Sequence, residues 1–315
     1  MDARERKQHV AVLCCDLSKA FDVADHAILA VKLRYYGIQS KALRVLRDMI
    51  CGRFQVVVGG GGLDRSDPLP LTMGVAQGSA VSNILFSLLL NDLPNAITAA
   101  EVLMYADDVA AVVTAPSVDQ LEQQLNAAAC QLATWFCENG LVLNLTKTHY
   151  MHFCLAGQKP RKLQVCVNGT TRLEECNSTT FLGFELDRAL TWESHINKIC
   201  GRLGSACFAL HRLSRFLPEY VVRSCYFATV HSVLQYGAEL WGRSADCLRA
   251  FRMQKRAVRA IARIPKGSSA RPFFKSLRIL TLPSIVIYQV AVYVRVNLIR
   301  YKRICTHTTR GALES

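Results

Sequence analysis

Two short apolar segments of this sequence each end in aspartate. The first is Ala11-Val-Leu-Cys-Cys-Asp16 and the second is Val102-Leu-Met-Tyr-Ala-Asp-Asp108. A carboxylate beside a run of apolar residues is costly to bury unless it is paired or binds a cation. If the two segments are adjacent strands, Asp16 and Asp107 converge, and clusters of this type bind two Mg²⁺ ions in phosphoryl-transfer enzymes. For either acid alone, a cap on a strand or turn is the alternative.

The segments around these acids alternate between strand-like and helix-like patterns. Val102–Tyr105 and Val109–Thr114 flank the acidic turn and predict a hairpin. Ser117 and Gln120 form a capping box ahead of an amphipathic segment. The other predicted elements are a strand at His9–Asp16, helical Asp22–Arg53 with a break at Gly37, a strand at Phe54–Val58, helix Gly78–Leu90, helix Ser117–Asn139, strands Leu141–Asn144 and Met151–Leu155, a strand-rich Lys159–Gly183 with a turn at Asn168-Gly169, and helices from Trp192 onward. We therefore expect an α+β fold with an antiparallel sheet at its centre.

The formal net charge of +14 is distributed unevenly along the 315 residues. Residues 1–195 contain 17 Lys+Arg and 20 Asp+Glu, whereas residues 196–315 contain 21 and 4. A strongly cationic second part predicts a polyanionic partner, most commonly nucleic acid, with a solvated basic surface as the alternative. Six basic residues that recur at helical spacing would contact phosphates: Arg249, Arg252, Lys255, Arg256, Arg259 and Arg263.

The thirteen cysteines suggest a reducing, intracellular environment, either nuclear or cytoplasmic. Their number is odd and no Cys-x-x-Cys occurs, so neither a disulfide framework nor a Cys/His metal site is expected. We interpret most of them as small buried hydrophobes, including Cys130, Cys137, Cys207 and Cys225. The polar N-terminus argues against secretion. Ile279–Val294 is apolar but contains Pro283, so we expect a buried helix or strand there and no membrane span.

Five short motifs occur in a fixed order along the chain. They are Asp16-Leu-Ser-Lys-Ala-Phe-Asp22 followed by Asp25-His26, Gly74-Val-Ala-Gln-Gly-Ser79, Tyr105-Ala-Asp-Asp108, Gly140-Leu-Val-Leu-Asn144 with Lys147-Thr148, and Phe181-Leu-Gly183. In this order the motifs resemble those of the reverse transcriptases of non-LTR (LINE-type) retrotransposons, of the jockey and R1 kind. Ala76 stands where that family usually has proline. Leu190–Ile196 and Leu234–Gly242 resemble segments downstream of the polymerase core of such elements.

The resemblance implies a polymerase palm over residues 1–185, with an antiparallel sheet and helices on one face. A helical, basic thumb and C-terminal region would follow over residues 186–315. Only fifteen residues precede Asp16, so we expect the fingers to be largely absent, with a separate segment to supply them. The endonuclease domain and Cys/His knuckles of full-length elements are expected to be absent as well.

The implied activity is RNA-directed DNA polymerisation, in which deoxynucleotides are added to a DNA primer on an RNA template with two Mg²⁺ ions, or Mn²⁺ in their place. A catalytically inactive nucleic-acid-binding remnant and an RNA-dependent RNA polymerase are the alternatives. The residues that the resemblance implicates are Asp16, Asp107 and Asp108 as metal ligands, Lys147 as the acid for the leaving pyrophosphate, Leu17, Phe21, Gln77, Gly78, Ser79 and Tyr105 at the nucleotide, and Phe181, Leu182 and Gly183 at the primer terminus. For Phe21 the alternative is core packing, and for Lys147 it is a surface lysine.

Overall fold

The computed structural model describes residues 6, 8–59, 64–76, 78–154 and 161–298. The chain divides into two compact units, residues 1–183 and residues 184–315. This division falls two residues before the boundary expected from the sequence. The two units are called unit 1 and unit 2 below.

Unit 1 combines a central sheet with helices, which confirms the α+β class. Its strands are β1 His9–Cys15, β2 Arg53–Gln55, β3 Leu69–Leu71, β4 Glu101–Tyr105, β5 Asp108–Ala115, β6 His149–Phe153, β7 Cys166–Val167, β8 Thr171–Arg172, β9 Glu174–Glu175 and β10 Ser178–Phe181. Its helices are α1 His26–Tyr35, α2 Ser40–Ile50, α3 Ala80–Leu90, α4 Leu93–Ala96 and α5 Val118–Glu138. The break predicted at Gly37 separates α1 from α2, and the residue there has φ +86°.

The five-stranded sheet of unit 1 has the strand order β4-β5-β1-β6-β9. Neighbouring strands are antiparallel except β6 and β9, which pair in parallel. Ala11, Leu13 and Cys15 of β1 alternate toward the core. Their register partners on β5, Val113 and Ala111 among them, point to the same core, as the period of two in a strand requires. Helix α5 packs across this face of β1 and β5.

Two predicted strands differ in the structure. Leu141–Asn144 is not a strand, because Leu143 makes only an isolated bridge with Leu17 before the chain turns. The Asn144 side chain accepts a hydrogen bond from the Thr146 backbone N–H at 3.2 Å, and this local turn ends the pairing. Of the predicted strand Phe54–Val58, only Phe54 and Gln55 belong to a strand, β2, while Val58 makes an isolated bridge with Arg65.

Burial was overestimated at the cysteines. The twelve cysteines in the described part of the chain are all free thiols, but only Cys15 and Cys207 are buried. Cys137 is exposed because it lies on the side of α5 away from the core, and Cys130 and Cys225 are half-buried.

Unit 2 is helical after one initial strand, as predicted for the chain from Trp192 onward. It contains β11 Phe184–Asp187, α6 Glu193–Leu213, α7 Glu219–Tyr226, a π-helical turn at Phe227–His231, α8 Ser232–Gln235, α9 Ala238–Trp241, α10 Cys247–Ile261, α11 Arg271–Ser276 and α12 Leu282–Val296. The expectation of a buried segment at Ile279–Val294 holds only for the first turns of α12, since Leu282 and Val286 are buried while Ile287 is 70% exposed. Among the described residues, no helix is both long and apolar enough to cross a membrane.

An aromatic cluster joins the two downstream segments of unit 2 that were singled out in the sequence. The Phe184 ring stacks on Tyr236 with centroids 4.7 Å apart, and His195 packs edge-on against Trp241 at 6.1 Å. Gly237 lies under this cluster with φ +59°, and a Cβ at this position would be 2.3 Å from the Phe184 ring. The glycine is therefore required by both its backbone conformation and the close approach of the ring.

Replacement of Gly237 tests the importance of this cluster. We expect Gly237→Ala to destabilise the chain by about 2–4 kcal/mol, from overpacking together with a left-handed alanine. Gly201→Ala is the matched control within α6, because no described heavy atom lies within 4 Å of its added Cβ. The control should stabilise by about 0.5–1 kcal/mol. Urea unfolding measures both, and equal effects of the two variants would contradict the packing described.

Candidate active site

The ends of β1 and β5 bring three aspartates together. The antiparallel register pairs Cys15 with Val109, and its continuation by one residue places Asp108 opposite Asp16. Tyr105 pairs with Asp108 to close the β4–β5 hairpin, so Ala106 and Asp107 form its two-residue loop. Tight hairpin loops need positive φ, which Ala106 adopts at +53° in place of a glycine. The hairpin prediction is confirmed, and all three acids lie at one edge of the sheet.

The three carboxylates interact electrostatically. Partial burial raises the pKa of the Asp108 carboxyl above its ordinary value, and the negative charges of Asp107 and Asp16 raise it further. Neighbouring carboxylates disfavour each other's ionised form in this way. The cluster is therefore an anionic centre whose own charges destabilise it, and a bound cation would relieve the repulsion.

The backbone of Asp16 is held by the segment that follows α5. The Asp16 N–H donates to the buried Thr148 hydroxyl at 3.2 Å, and the Asn144 N–H donates to the Asp16 carbonyl at 2.8 Å. Ser18 N–H donates to the carbonyl of Val142 at 2.9 Å. These bonds fix the main chain on either side of Leu17, whose side chain is buried. The acid is thus presented from a rigid backbone while its carboxylate stays 43% exposed.

Lys147 lies beside this acid. Its Nζ is 3.7 Å from Oδ2 of Asp16, and its side chain is 68% exposed. An ion pair this exposed contributes at most about 1 kcal/mol, so fold stability does not account for the lysine's position. The structure therefore brings together Lys147 and Asp16. The sequence placed these two residues in separate motifs and did not show that they are neighbours.

The loop that precedes α3 packs onto the turn that follows Asp16. The N–H groups of Gly74 and Val75 donate to the carbonyls of Ala24 and Phe21 at 2.8 and 2.7 Å. Gly74 has φ +88°, and an added Cβ would lie 2.7 Å from the carbonyl oxygen of Asp22. Only glycine therefore permits this close approach of two backbones.

Of the nucleotide-side residues predicted from the sequence, Gly78 and Ser79 lie on this loop, Phe21 lies on the turn that the loop packs against, and Tyr105 ends β4. Phe21 is half-buried and stacks on Phe86 at 4.4 Å, so it takes part in packing whatever else it does. Gly78 is exposed with φ +84°, and Ser79 immediately precedes α3. Gln77 lies outside the described residues. Tyr105 is 68% exposed beside the acidic loop.

Three supporting contacts were not assigned from the sequence. His26 Nε2 hydrogen-bonds the Gly74 carbonyl at 2.7 Å, and the Asp25 carboxylate caps α1 by accepting from Ala27 and Ile28. Thr148 accepts from Asp16, as described above. All three residues belong to the motifs named in the sequence analysis. The motifs therefore pointed to these residues, but residue spacing does not reveal contacts between segments that are distant in the chain.

The segment proposed for primer support forms a tight turn. Phe181 ends β10, and Leu182 and Gly183 both adopt positive φ, at +48° and +80°. Two successive left-handed residues produce a sharp reversal that favours glycine at one position.

The first five members of the basic stripe lie on one face of helix α10, but three of the stripe's five arginines are engaged within unit 2. The buried residues of α10 lie on the opposite side, and Arg252 and Arg256 are exposed. The other members contact their surroundings: Arg249 donates to Asn197 at 2.6 Å, Lys255 lies over the Phe251 ring at 4.2 Å, Arg259 donates to the Ser268 carbonyl at 2.7 Å and Arg263 donates to the Leu217 carbonyl at 2.8 Å.

Arg263 does not belong to the helix as predicted. Helix α10 ends at Ile261, and Arg263 lies in the following turn with φ +54°, where its guanidinium is used to bind Leu217. The stripe therefore offers fewer free cations than its sequence suggests.

No group of three or more His, Cys, Asp or Glu side chains within the described residues is arranged as a ready ligand set for a metal ion. The chemistry of the donor set nevertheless fits a hard divalent cation, because the acidic edge offers three carboxylates that repel each other. Asp16, Asp107 and Asp108 are the residues that would hold such an ion.

Comparison with known proteins shows the class of this chain. The sequence model for "Reverse transcriptase (RNA-dependent DNA polymerase)" matches residues 1–186. The chain therefore belongs to the reverse transcriptase family, and the resemblance to non-LTR retrotransposon polymerases is confirmed by its relatives.

Three relatives come from Drosophila mobile elements. The chain is 26% identical over 284 residues to the probable RNA-directed DNA polymerase from transposon BS of Drosophila melanogaster, covering 84% of the chain and 30% of that relative. It is 28% identical over 213 residues to the RNA-directed DNA polymerase from mobile element jockey of Drosophila funebris, covering 63% and 22%. The X-element polymerase of Drosophila melanogaster is 23% identical over 260 residues, covering 78% and 27%. The chain thus spans less than a third of these relatives' length.

A solved structure of telomerase from Candida albicans, in complex with the TWJ fragment of telomeric RNA, overlaps 89% of the chain and 53% of its own length. Its TM-score is 0.49 with 13% sequence identity, a likeness too loose to support any conclusion.

The contact between Gly74 and Asp22 predicts a specific loss of stability. Gly74→Ala would combine a left-handed alanine with a clash against backbone, and we expect destabilisation by about 2–4 kcal/mol. Gly78→Ala is the matched control, since its φ is similar and no described heavy atom lies within 4 Å of its added Cβ. It should cost only about 1–2 kcal/mol. Thermal unfolding measures both variants, and equal melting temperatures would contradict the contact.

Because the pKa of Asp108 is raised, replacing its carboxylate with a neutral side chain should stabilise the folded chain by an amount that depends on pH. Because the folded-state pKa lies above the unfolded value, the ionised carboxylate destabilises the folded chain, and this penalty disappears when both states are protonated. Asp108→Asn should therefore stabilise the chain at pH 7, and the difference should shrink as the pH falls toward about 3.8. Denaturation in EDTA measures the difference, with exposed Asp67→Asn as control. A pH-independent difference would disprove the repulsion.

Proposed function

We propose that this chain carries the polymerase centre of an RNA-directed DNA polymerase, which adds deoxynucleotides to the 3′-hydroxyl of a DNA primer on an RNA template. The observation that carries the proposal is the convergence of Asp16, Asp107 and Asp108 at one sheet edge in a member of the reverse transcriptase family. Unit 1 would act as the palm, and unit 2 as the thumb and C-terminal region.

In this proposal the three aspartates bind two divalent cations, with Mg²⁺ the natural ion and Mn²⁺ a substitute. Such cations, when bound, lower the pKa of the attacking hydroxyl and offset the charge of the triphosphate. The rigid backbone around Leu17 holds Asp16 in position before substrate arrives, which avoids reorganisation during the reaction. The Leu17 carbonyl would add a further oxygen ligand.

Lys147 is proposed to protonate the leaving pyrophosphate. Its ammonium already lies 3.7 Å from an Asp16 carboxylate oxygen, on a side chain exposed enough to move toward a bound triphosphate. The alternative is an ordinary surface lysine that pairs with a nearby carboxylate. In the proposed role, the lysine would act at the end of the reaction opposite to the attacking hydroxyl.

The remaining residues would position the nucleotide and the primer. Phe21 presents a ring braced by Phe86, which suits a gate against a ribose 2′-hydroxyl. The loop of Gln77, Gly78 and Ser79 would contact the nucleotide, with Tyr105 next to the acidic turn. The turn of Phe181, Leu182 and Gly183 would support the primer terminus, and the exposed members of the α10 stripe, Arg252 and Arg256, would contact phosphates. The free thiols fit a reducing compartment, and we propose an intracellular location.

Primer extension on poly(rA)/oligo(dT) with Mg²⁺ tests the polymerase directly. We expect incorporation of dTTP that EDTA abolishes and that Asp107→Asn lowers at least about 100-fold, because a carboxylate that would hold the divalent cations is removed. Asp67→Asn, an exposed acid of unit 1 with the same change of charge, should retain full incorporation.

Two results would refute the proposal. Template binding without incorporation by the wild-type chain would indicate a nucleic-acid-binding protein without catalysis. Incorporation of ribonucleotides in preference to deoxynucleotides would indicate an RNA polymerase and would remove the gate role from Phe21.

A further inference from the structure

Helices α1 and α2 of unit 1 line an open groove of about 680 Å³. Three arginines converge on it, Arg34 from α1 and Arg44 and Arg47 from α2. The other lining residues are Gln39, Ser40, Leu43, Asp48 and Cys51. The groove shares no lining residue with the acidic edge of Asp16, Asp107 and Asp108.

The segment that forms this groove is strongly basic, although it belongs to the acidic part of the chain. Residues 26–53 contain six Lys+Arg and one acid, Asp48, whereas the remainder of residues 1–195 contains 11 Lys+Arg and 19 Asp+Glu. Lys32 is already paired with Asp92 at 2.6 Å, and three of the five other cations, Arg34, Arg44 and Arg47, line the groove. The overall balance of this part of the chain conceals the groove.

The guanidinium groups of the groove have no internal use. Within the described residues, no hydrogen bond, ion pair or ring contact engages the side chains of Arg34, Arg44 or Arg47, and Asp48 forms no ion pair with them. Arg44 and Arg47 are also spaced three residues apart on one helix, a like-charge arrangement that costs about 0.2–0.5 kcal/mol. Arg34 and Arg47 lie in the last turns of α1 and α2, where a cation is favourable, but Arg44 has no such role. An anion in the groove would offset the repulsion.

The start of α2 adds to the same positive field. Ser40 is its first residue and lines the groove, and the preceding Gln39 makes no side-chain cap within the described residues. The free N–H groups and the positive end of the helix dipole therefore accompany the three arginines. Helix dipoles alone would place cations at helix C-termini, which does not account for Arg44 in the middle of α2.

The chemistry of the groove fits phosphate. Arginine forks bind phosphate oxygens through paired hydrogen bonds, and three such groups spread along an open groove suit successive phosphates better than one enclosed anion. Pockets for small organic ligands of this volume are lined mostly by hydrophobic and aromatic residues, whereas six of the eight residues that line this one are charged or polar.

We propose that the groove between α1 and α2 binds the phosphodiester backbone of a single nucleic-acid strand, as a contact separate from the carboxylate cluster. The choice of a nucleic-acid strand as ligand rests on the proposed function. Free phosphate and nucleoside triphosphate offer the same chemistry, and the test separates them from a strand.

The test compares two triple variants of the full chain in RNA-binding titrations at several salt concentrations, with EDTA present and no nucleotide added. The groove variant carries Arg34→Gln, Arg44→Gln and Arg47→Gln. It should weaken binding of a short single-stranded RNA at least about tenfold. The salt slope, which is the change in the logarithm of the binding constant with the logarithm of the salt concentration, should fall by about 2 units for three lost phosphate contacts. The matched control removes three exposed cations of unit 1 outside the groove, with Arg65→Gln, Lys162→Gln and Arg172→Gln. Its slope should change by less than about half a unit.

A third variant with lysine at the same three positions separates charge from folding, since it should keep most of the slope. Equal slopes for the groove and control variants would overturn the proposal. So would loss of binding to a nucleoside triphosphate with RNA affinity unchanged, because the groove would then take a small anion. This test measures RNA binding and no catalysis, so its outcome is independent of the primer-extension test. A chain that does not polymerise can still bind RNA through the groove, and an active polymerase can lack this contact.

Discussion

The register between β1 and β5 is the constraint on which the candidate site depends. Ala11, Leu13 and Cys15 bury one face of β1, and their partners on β5 bury the same face. A slip of one residue would move every one of these side chains to the other face and carry Asp16 toward the core. The apolar alternation therefore fixes where the acids emerge, and core packing offsets the partial burial and the repulsion that together raise the pKa of Asp108.

Order around the acids comes from backbone contacts, while the side chains that would do chemistry stay accessible. Asp16 is held through its N–H and carbonyl by Thr148 and Asn144, and Gly74 brings a third segment against the same turn. Such a design keeps carboxylate oxygens free for a ligand, because none of these bonds uses them. The requirement for glycine at position 74 is thus a requirement of the site as much as of the fold, since any Cβ would force the two segments apart.

Sequence patterns predicted the strands, the hairpin and the acidic cluster because those features are local or periodic. The period of two in β1 and the adjacent pair Asp107-Asp108 could be read directly from neighbouring residues. The contacts of His26 with Gly74 and of Thr148 with Asp16 join segments 48 and 132 residues apart, and no spacing rule reveals them. Leu141–Asn144 was wrongly predicted as a strand because its apolar residues serve a single bridge rather than a ladder.

The positions of the cations available to bind a ligand were also not predictable from the sequence. The sequence indicated unit 2 as the cationic part, but Arg249, Arg259 and Arg263 there donate hydrogen bonds within the unit, so their presence is explained by the fold. The groove arginines of unit 1 lie in a segment whose surroundings are acidic, and they come from two helices separated by a turn. What distinguishes a binding cation is the absence of an internal partner, which depends on geometry and cannot be counted from composition. By that criterion the groove between α1 and α2 qualifies to hold phosphate together with Arg252 and Arg256 of α10, even though it belongs to the acidic part of the chain.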